Sequence, residues 1–328
     1  MNTRRRILKS AILLALGPSS QIVFGQTQSS SGNSNAIRLI IPYDPAGGSD
    51  MVARVVAKGL QEELGRSVIP VNRSGAGTRI GSDLVAKSAP DGQTLLFNGL
   101  GLTTHPGLYS DLPYDVKKDF AAVSLLGRQP YMLVTGPSMG TRSLADIVTL
   151  AKQQPGKLSF GTAGIGSAAH IASEVLWYTL GIKLTHVPYK GTSPAMIDLL
   201  GGRLDVVFTT IAPLVGPVKT KQVRALGVGT LSRTAVLPDV PTIAEQGYPG
   251  FEFSTWSALY VPSGTPEAIK TRLAQAVAKV LEQSTVLSKL YTDGVIATPS
   301  SPEEAQRMHL AEVDRWTTVI KRSGITAQ

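Results

Sequence analysis

A short apolar strand that runs through a glycine-containing loop into a helix is the feature that most limits what this chain can become, and it recurs along the chain. Residues 37–41 read as a strand, and Pro42, Tyr43, Asp44, Pro45, Ala46, Gly47, Gly48 and Ser49 as the loop. In the helix that follows, Met51, Val52, Val55, Val56 and Leu60 recur at helical spacing, with Ser49 or Asp50 as the expected N-cap. The parts return as strand 67–71, loop 72–78 and helix 81–88, and again as strand 94–97 running into residues 98–105, Thr103 among them. Such alternation predicts parallel βαβ units, whose ligands sit beyond the carboxyl ends of the strands, where all three loops fall. A loop of this kind turns unpaired backbone N–H groups toward one point at the positive end of a helix dipole, which attracts an anion. An ordinary βα turn needs small residues as well, so the first loop alone does not decide between the two.

A β-rich passage over 123–134 separates this series from a second one of the same kind. It comprises helix 143–153, strand 157–160, a Gly/Ser/Thr loop over 161–167, helix 168–180, strand 184–188, helix 193–201 and strand 205–209. Residues 251–261 read as a long strand returning toward the first series, and the tail is helical, opening at Thr265-Pro266-Glu267 and again at Pro302. Two α/β halves joined by two crossings, the first half completed by the C-terminal segment, predict a hinged cleft. The expected domains are 36–126 with 255–328, and 127–254.

The formal charge of +9 includes Arg4, Arg5, Arg6 and Lys9, which form the basic start of an export signal. The apolar run over 11–16 is too short to span a bilayer, which takes roughly 20 residues. A cut near Gly25 and Gln26 is expected, with residues 26–35 as a flexible leader, and the arginine cluster resembles a twin-arginine signal. The remaining positive charge is spread along the chain without the basic stripe and interleaved aromatics that nucleic acid requires. With no cysteine, disulfides and thiolate metal sites are excluded. The periplasm is the expected compartment, a monomer the expected state, and no metal or cofactor is expected.

The elements of an enzyme are missing. No G-x-S-x-G elbow, H-E-x-x-H or P-loop occurs, and His105, His170, His186 and His309 are not paired at ligand spacing. Ser167 and His170 lie on one helix face, which suits either a nucleophile and its base or a histidine that orients the loop; the lack of a third member favours the second. Residues 164–169 spell G-x-G-x-x-A between a strand and a helix, the setting of a dinucleotide fingerprint. Where the ribose would need an acid, the chain has Pro188-Tyr189-Lys190-Gly191, and the geometry is left as an anion site.

Taken together, an ordered set of motifs resembles the extracytoplasmic solute receptors of tripartite tricarboxylate transporters, the Bug receptors, over nearly all of the chain after the leader. The motifs are Pro42-Tyr43-Asp44-Pro45-Ala46-Gly47-Gly48-Ser49-Asp50, Asn72-Arg73-Ser74-Gly75-Ala76-Gly77, Ala89-Pro90-Asp91-Gly92 and Leu112-Pro113-Tyr114-Asp115. Pro155-Gly156-Lys157-Leu158, residues 161–167 with His170, His186-Val187-Pro188-Tyr189-Lys190-Gly191, and Leu237-Pro238-Asp239-Val240-Pro241-Thr242 follow. The resemblance implies a type II periplasmic binding protein, two α/β domains closing on a small carboxylate that is handed to the membrane components of the transporter. It assigns ligand contact to Tyr43, Ala46, Gly47, Ser49 and Asp50 on one side, and to Thr162, Ala163, Gly166 and Ser167 on the other. Thr103, His170 and Thr209 complete the candidate set. Donors at both ends suit a dicarboxylate, aliphatic or aromatic, with Tyr43, Tyr189 and Trp256 as candidate apolar walls. An exported hydrolase using Ser167 and His170, and a sensor for a membrane signalling protein, are the alternatives. Two departures stand out: Thr209-Thr210 where the family often has Asp-Asn, and, in the first loop, Pro45-Ala46-Gly47 where the family has P-G-G, preceded by Asp44 where it has a small residue. A carboxylate beside an anion site is unfavourable unless it points away or is paired.

Overall fold

The chain folds as the alternation predicts, in a computed structural model that describes residues 36–140 and 143–323. The export signal and leader expected over 1–35 lie outside the described residues. The first series is β1 (Ile37–Ile41), α1 (Gly48–Leu64), β2 (Val68–Asn72), α2 (Arg79–Ala86), β3 (Thr94–Gly99) and two single turns, α3 (Leu100–Thr103) and α4 (His105–Leu108). The long strand β4 (Phe120–Thr135) leads to α5 (Leu144–Gln153), β5 (Ser159–Thr162), α6 (Ala168–Leu180), β6 (Thr185–Pro188), α7 (Thr192–Leu200), β7 (Val206–Thr210), α8 (Val215–Lys219) and β8 (Arg224–Val228). The return strand is β9 (Ser254–Pro262), followed by α9 (Glu267–Glu282), α10 (Ser284–Thr292), β10 (Ile296–Ala297) and α11 (Pro302–Ser323).

Both series give the same sheet. β1 is flanked in parallel by β2 and β3, and β5 in parallel by β6 and β7. β9 lies antiparallel between β3 and β4. What joins the halves is β4, which pairs with β9 over Phe120–Pro130 and then with β7 and β8 over Tyr131–Thr135. The strand therefore changes sheets at Pro130 and Tyr131, where a proline cannot donate to a ladder in any case.

Helix α1 follows its apolar spacing: Val52, Ala53, Val56, Ala57 and Leu60 are buried, and Gly65 ends it in the left-handed region at φ 61°. Its contact with the tail explains Gly59, where a Cβ would strike Val280 of α9. Leu39, Ile41, Val52, Val56, Val277 and Val280 share one core cluster, so α9 packs with α1 against one face of the first sheet. Strand β8, helix α10 and the two-residue β10 were not predicted. They lie in the loop-rich return and the tail, where the period is weak, and for the two strands pairing with β4 supplies the order.

Candidate functional site

The loop after β1 is fixed by a buried charge. Asp50 is 2% exposed and accepts three hydrogen bonds, from Ala46 N–H at 2.9 Å, Arg54 Nε at 2.9 Å and Asn72 Nδ2 at 2.8 Å. Burial alone would raise its pKa. The bonds from Arg54, Asn72 and Ala46, together with the Arg54 charge, outweigh burial and hold it below the ordinary carboxylate value. Asn72 also donates to the Tyr43 carbonyl at 2.9 Å and accepts from Arg54 at 2.7 Å, which ties the loop to the end of β2.

Because Asp50 is turned back into this network, neither it nor Ser49 caps the helix. The N-cap of α1 is Gly47, with no side-chain cap, which leaves the first-turn N–H groups to face the cleft. Ala46 adopts φ 64° to make the turn. A non-glycine residue there costs about 1 kcal/mol, and the bond to Asp50 helps to offset it. Tyr43 donates from its hydroxyl to Asn98 Oδ1 at 3.0 Å, and Asn98 donates to Thr78 Oγ1 and Ser82 Oγ, each at 3.2 Å.

The loop after β5 is fixed without charge. Ser167 is the N-cap of α6, its Oγ accepting from His170 N–H at 3.3 Å. The His170 ring turns the other way, and its Nδ1 accepts from Gly166 N–H at 3.2 Å. It stacks on His186 at 4.2 Å with 10° between the planes, and His186 stacks on Phe160 at 4.8 Å. Thr162 Oγ1 lies 2.7 Å from His186 Nε2 and accepts from Gly164 N–H at 3.2 Å. Burial pushes both imidazoles down to about 4, and for His186 the neighbouring His170 adds to the shift. They are neutral rings that hold a loop, and no bond joins the His170 ring to the Ser167 hydroxyl. That geometry removes the nucleophile-and-base reading.

Between the loops lies a cleft. Three helix N-termini reach it, with Gly48 and Ser49 of α1, Ala168 and Ala169 of α6, and Gly191 and Thr192 at the start of α7. Thr209 and Thr210 come from β7, while Gln129 and Tyr131 from β4 and Thr255 and Ser257 from β9 form the back. The halves touch on both sides of it. Ser193 Oγ donates to the Pro45 carbonyl at 3.0 Å, Tyr109 OH to the Ile165 carbonyl at 3.2 Å, and a Cβ on Gly48 would strike Thr210 Oγ1. Asp44 packs on Gly191, where a Cβ would meet its Oδ2 at 2.6 Å, so its carboxylate stands at the N-terminus of α7 and gains from that dipole.

Of the candidate residues, Tyr43, Gly47, Ser49, Ala163, Ser167 and Thr209 line the cleft. Ala46, Asp50, Thr162, Gly166 and His170 stand behind them, as the bonds above describe. Thr103 is buried and donates to the Leu100 carbonyl at 3.0 Å. Of the expected apolar walls, Trp256 lines the cleft, its indole N–H donating to Glu312 Oε2 on α11 at 3.3 Å, whereas Tyr189 is not among the lining residues and donates its hydroxyl to Asp198 Oδ2 at 2.7 Å. Tyr131 and Phe97 are the further aromatic residues of the lining. Asp205 is spent on Ser159, accepting from its N–H and its hydroxyl, each at 2.7 Å. Sequence reasoning missed Gln129, Tyr131, Thr255 and Ser257, although polar residues at alternate positions of a strand as apolar as 254–262 were a signal.

Residues 52–325 match the tripartite tricarboxylate transporter family receptor. The chain belongs to this family. Membership makes it a solute-binding receptor rather than an enzyme. Relatives include the UPF0065 protein in the tcbD-tcbE intergenic region of Pseudomonas sp. (strain P51), 37% identical over 318 residues, 97% of this chain and 94% of that one. Among solved structures, an R. palustris protein with adipate is 34% identical with TM-score 0.85, covering 89% of this chain and 98% of the other. MatC from Rhodopseudomonas palustris with bound malate is 30% identical with TM-score 0.83, covering 88% and 99%. The receptor fold of two α/β halves around a cleft is thus the fold expected from the resemblance. Among the described residues no helix is long and apolar enough to cross a membrane.

Proposed function

We propose that this receptor captures a dicarboxylate, aliphatic or aromatic, in the periplasm and delivers it as a monomer to the membrane components of a tripartite tricarboxylate transporter. The observation that carries the reading is the convergence of three helix N-termini, from α1, α6 and α7, on one cleft. Each presents backbone donors and a positive dipole end, so two facing carboxylates are met without a buried cation. Asp44 is the one carboxylate among the described residues of the lining, and it packs on Gly191 at the start of α7. An ammonium group therefore has a single acidic side chain to meet, against donors at three helix N-termini, which disfavours zwitterionic amino acids. The relatives solved with adipate and malate support a diacid ligand for this chain. Closure would swing 36–126 with 255–328 against 127–254 about β4 and β9, since each half supplies only part of the shell.

A thermal-shift panel tests the reading. A diacid at a hundred times its Kd adds about 2.7 kcal/mol, enough to raise the melting temperature by several degrees. Glutamate or aspartate matching the best plain diacid would overturn the exclusion of amino acids, and silence from every carboxylate would overturn the ligand class.

A further inference from the structure

Two buried polar atoms at the back of the cleft have no hydrogen-bond partner: Gln129 Oε1 and Ser257 Oγ. Each residue is 2% exposed. Strand register puts them on one face of the β4–β9 pair, diagonal to each other. Gln129 of β4 pairs with Thr255 of β9, and Gly127 with Ser257, so Gln129, Thr255 and Ser257 share one face. Trp256 between them points the opposite way, to Glu312.

Folding does not account for these two groups. A buried polar atom without a partner is unfavourable, and an apolar side chain of similar shape would remove the cost. Of the partnerless buried atoms among the described residues, these two are the ones that line the cleft, where a bound molecule can supply the missing partner. The rest of the lining answers carboxylates with N–H groups, hydroxyls and the Lys190 ammonium. A carboxylate has nothing to give a carbonyl acceptor such as Gln129 Oε1. A hydroxyl does, since it donates to Gln129 Oε1 and accepts from the Ser257 hydroxyl. It also fits the amide whichever way the amide is turned.

We propose that Gln129 and Ser257 form a hydroxyl-recognising subsite, and that the ligand is a hydroxylated diacid, its hydroxyl on the segment between the two carboxylates. The inference rests on the reading of the cleft as a carboxylate site and narrows it. The placement agrees with the layout of the cleft, because the helix N-termini lie at its sides while β4 and β9 form its back, opposite the middle of a ligand held at both ends.

Isothermal titration of the purified protein against matched pairs tests this, with succinate set against malate and adipate against 3-hydroxyadipate. Wild type binds the hydroxylated member at least tenfold more tightly in the pair whose length suits the cleft. Ser257→Ala and Gln129→Leu bring that ratio close to one. Melting of the ligand-free variants checks that they fold, and Gln129→Leu melts no lower than wild type because a partnerless buried carbonyl is gone. Equal affinities within every pair in wild type, or a preference that survives both substitutions, would overturn the subsite while leaving the diacid reading intact. If no acid of either kind binds, the carboxylate reading fails and the subsite with it.

Discussion

The loop after β1 and the loop after β5 each deliver a helix N-terminus to the cleft, the first held by a buried aspartate and its three donors, the second by a stack of neutral rings. The difference separates two ways to rigidify an anion site. A charge network gives strong, directed bonds to the loop backbone but depends on every member, since removing one leaves others buried and unpaired. A ring stack spreads its hold over area and brings no charge of its own to the loop. The carboxylate of Asp50 can be tolerated near an anion site because it is turned inward and answered by Arg54 and Asn72.

Breaking the charged side should have the largest effect. Asp50→Ala strands Arg54, Asn72 and Ala46 N–H together, and a loss of about 3 kcal/mol in urea unfolding is expected. A loss within a few tenths of a kcal/mol would mean that the network is decorative. On the other side, Ser167→Asp keeps a good N-cap on α6 but places a negative charge where the ligand's carboxylate is expected. Titration with the best diacid should show affinity lower by about 2 kcal/mol, roughly thirtyfold, with an unchanged melting temperature. Wild-type affinity would remove Ser167 from the site.

Acid should separate the loops more gently. His170 and His186 stay neutral in the fold down to about 4, whereas in the unfolded chain they take up protons near 6.5. Their contribution is therefore complete above about pH 6.5 and declines as pH falls toward 4. Asp50, with its lowered value, begins to weaken only further down, near and below the ordinary carboxylate range. His105 is also held at about 4, by burial, so the second loop's share is isolated with His170→Gln, which should flatten the decline between pH 6.5 and 4 in a pH series of urea midpoints. An unaltered slope would show that His170 does not couple to folding. The smallest change is expected from Ala46→Gly, which relieves φ 64° and should raise stability by less than about 1 kcal/mol in the same assay. A clear loss there would mean that the alanine methyl makes a contact that matters.

Much of this was legible in the chain. Helix α6 begins and ends where its pattern predicts, at 168 and 180, because an N-capping serine and a following glycine mark both limits. The N-cap of α1 was misplaced for the opposite reason: Asp50 has the right chemistry for a cap, but Asn72, 22 residues away, recruits it, and no local window contains that competitor. The facing Gly-rich loops could be read from composition, whereas the back of the cleft could not. Which face Gln129 presents depends on how β4 passes from one sheet to the other at Pro130, a tertiary event with only a proline as its local sign.

The alternation that sends Ser257 and Thr255 forward sends Trp256 backward, one peptide away from the ligand and bonded through its indole to Glu312, which Trp316 of α11 also reaches at 2.9 Å. The receptor thus carries a native optical reporter directly behind its recognition strand. A bound molecule that shifts β9 would move one of two indoles that share the Glu312 carboxylate, so a change in their emission on adding ligand is a label-free test of occupancy.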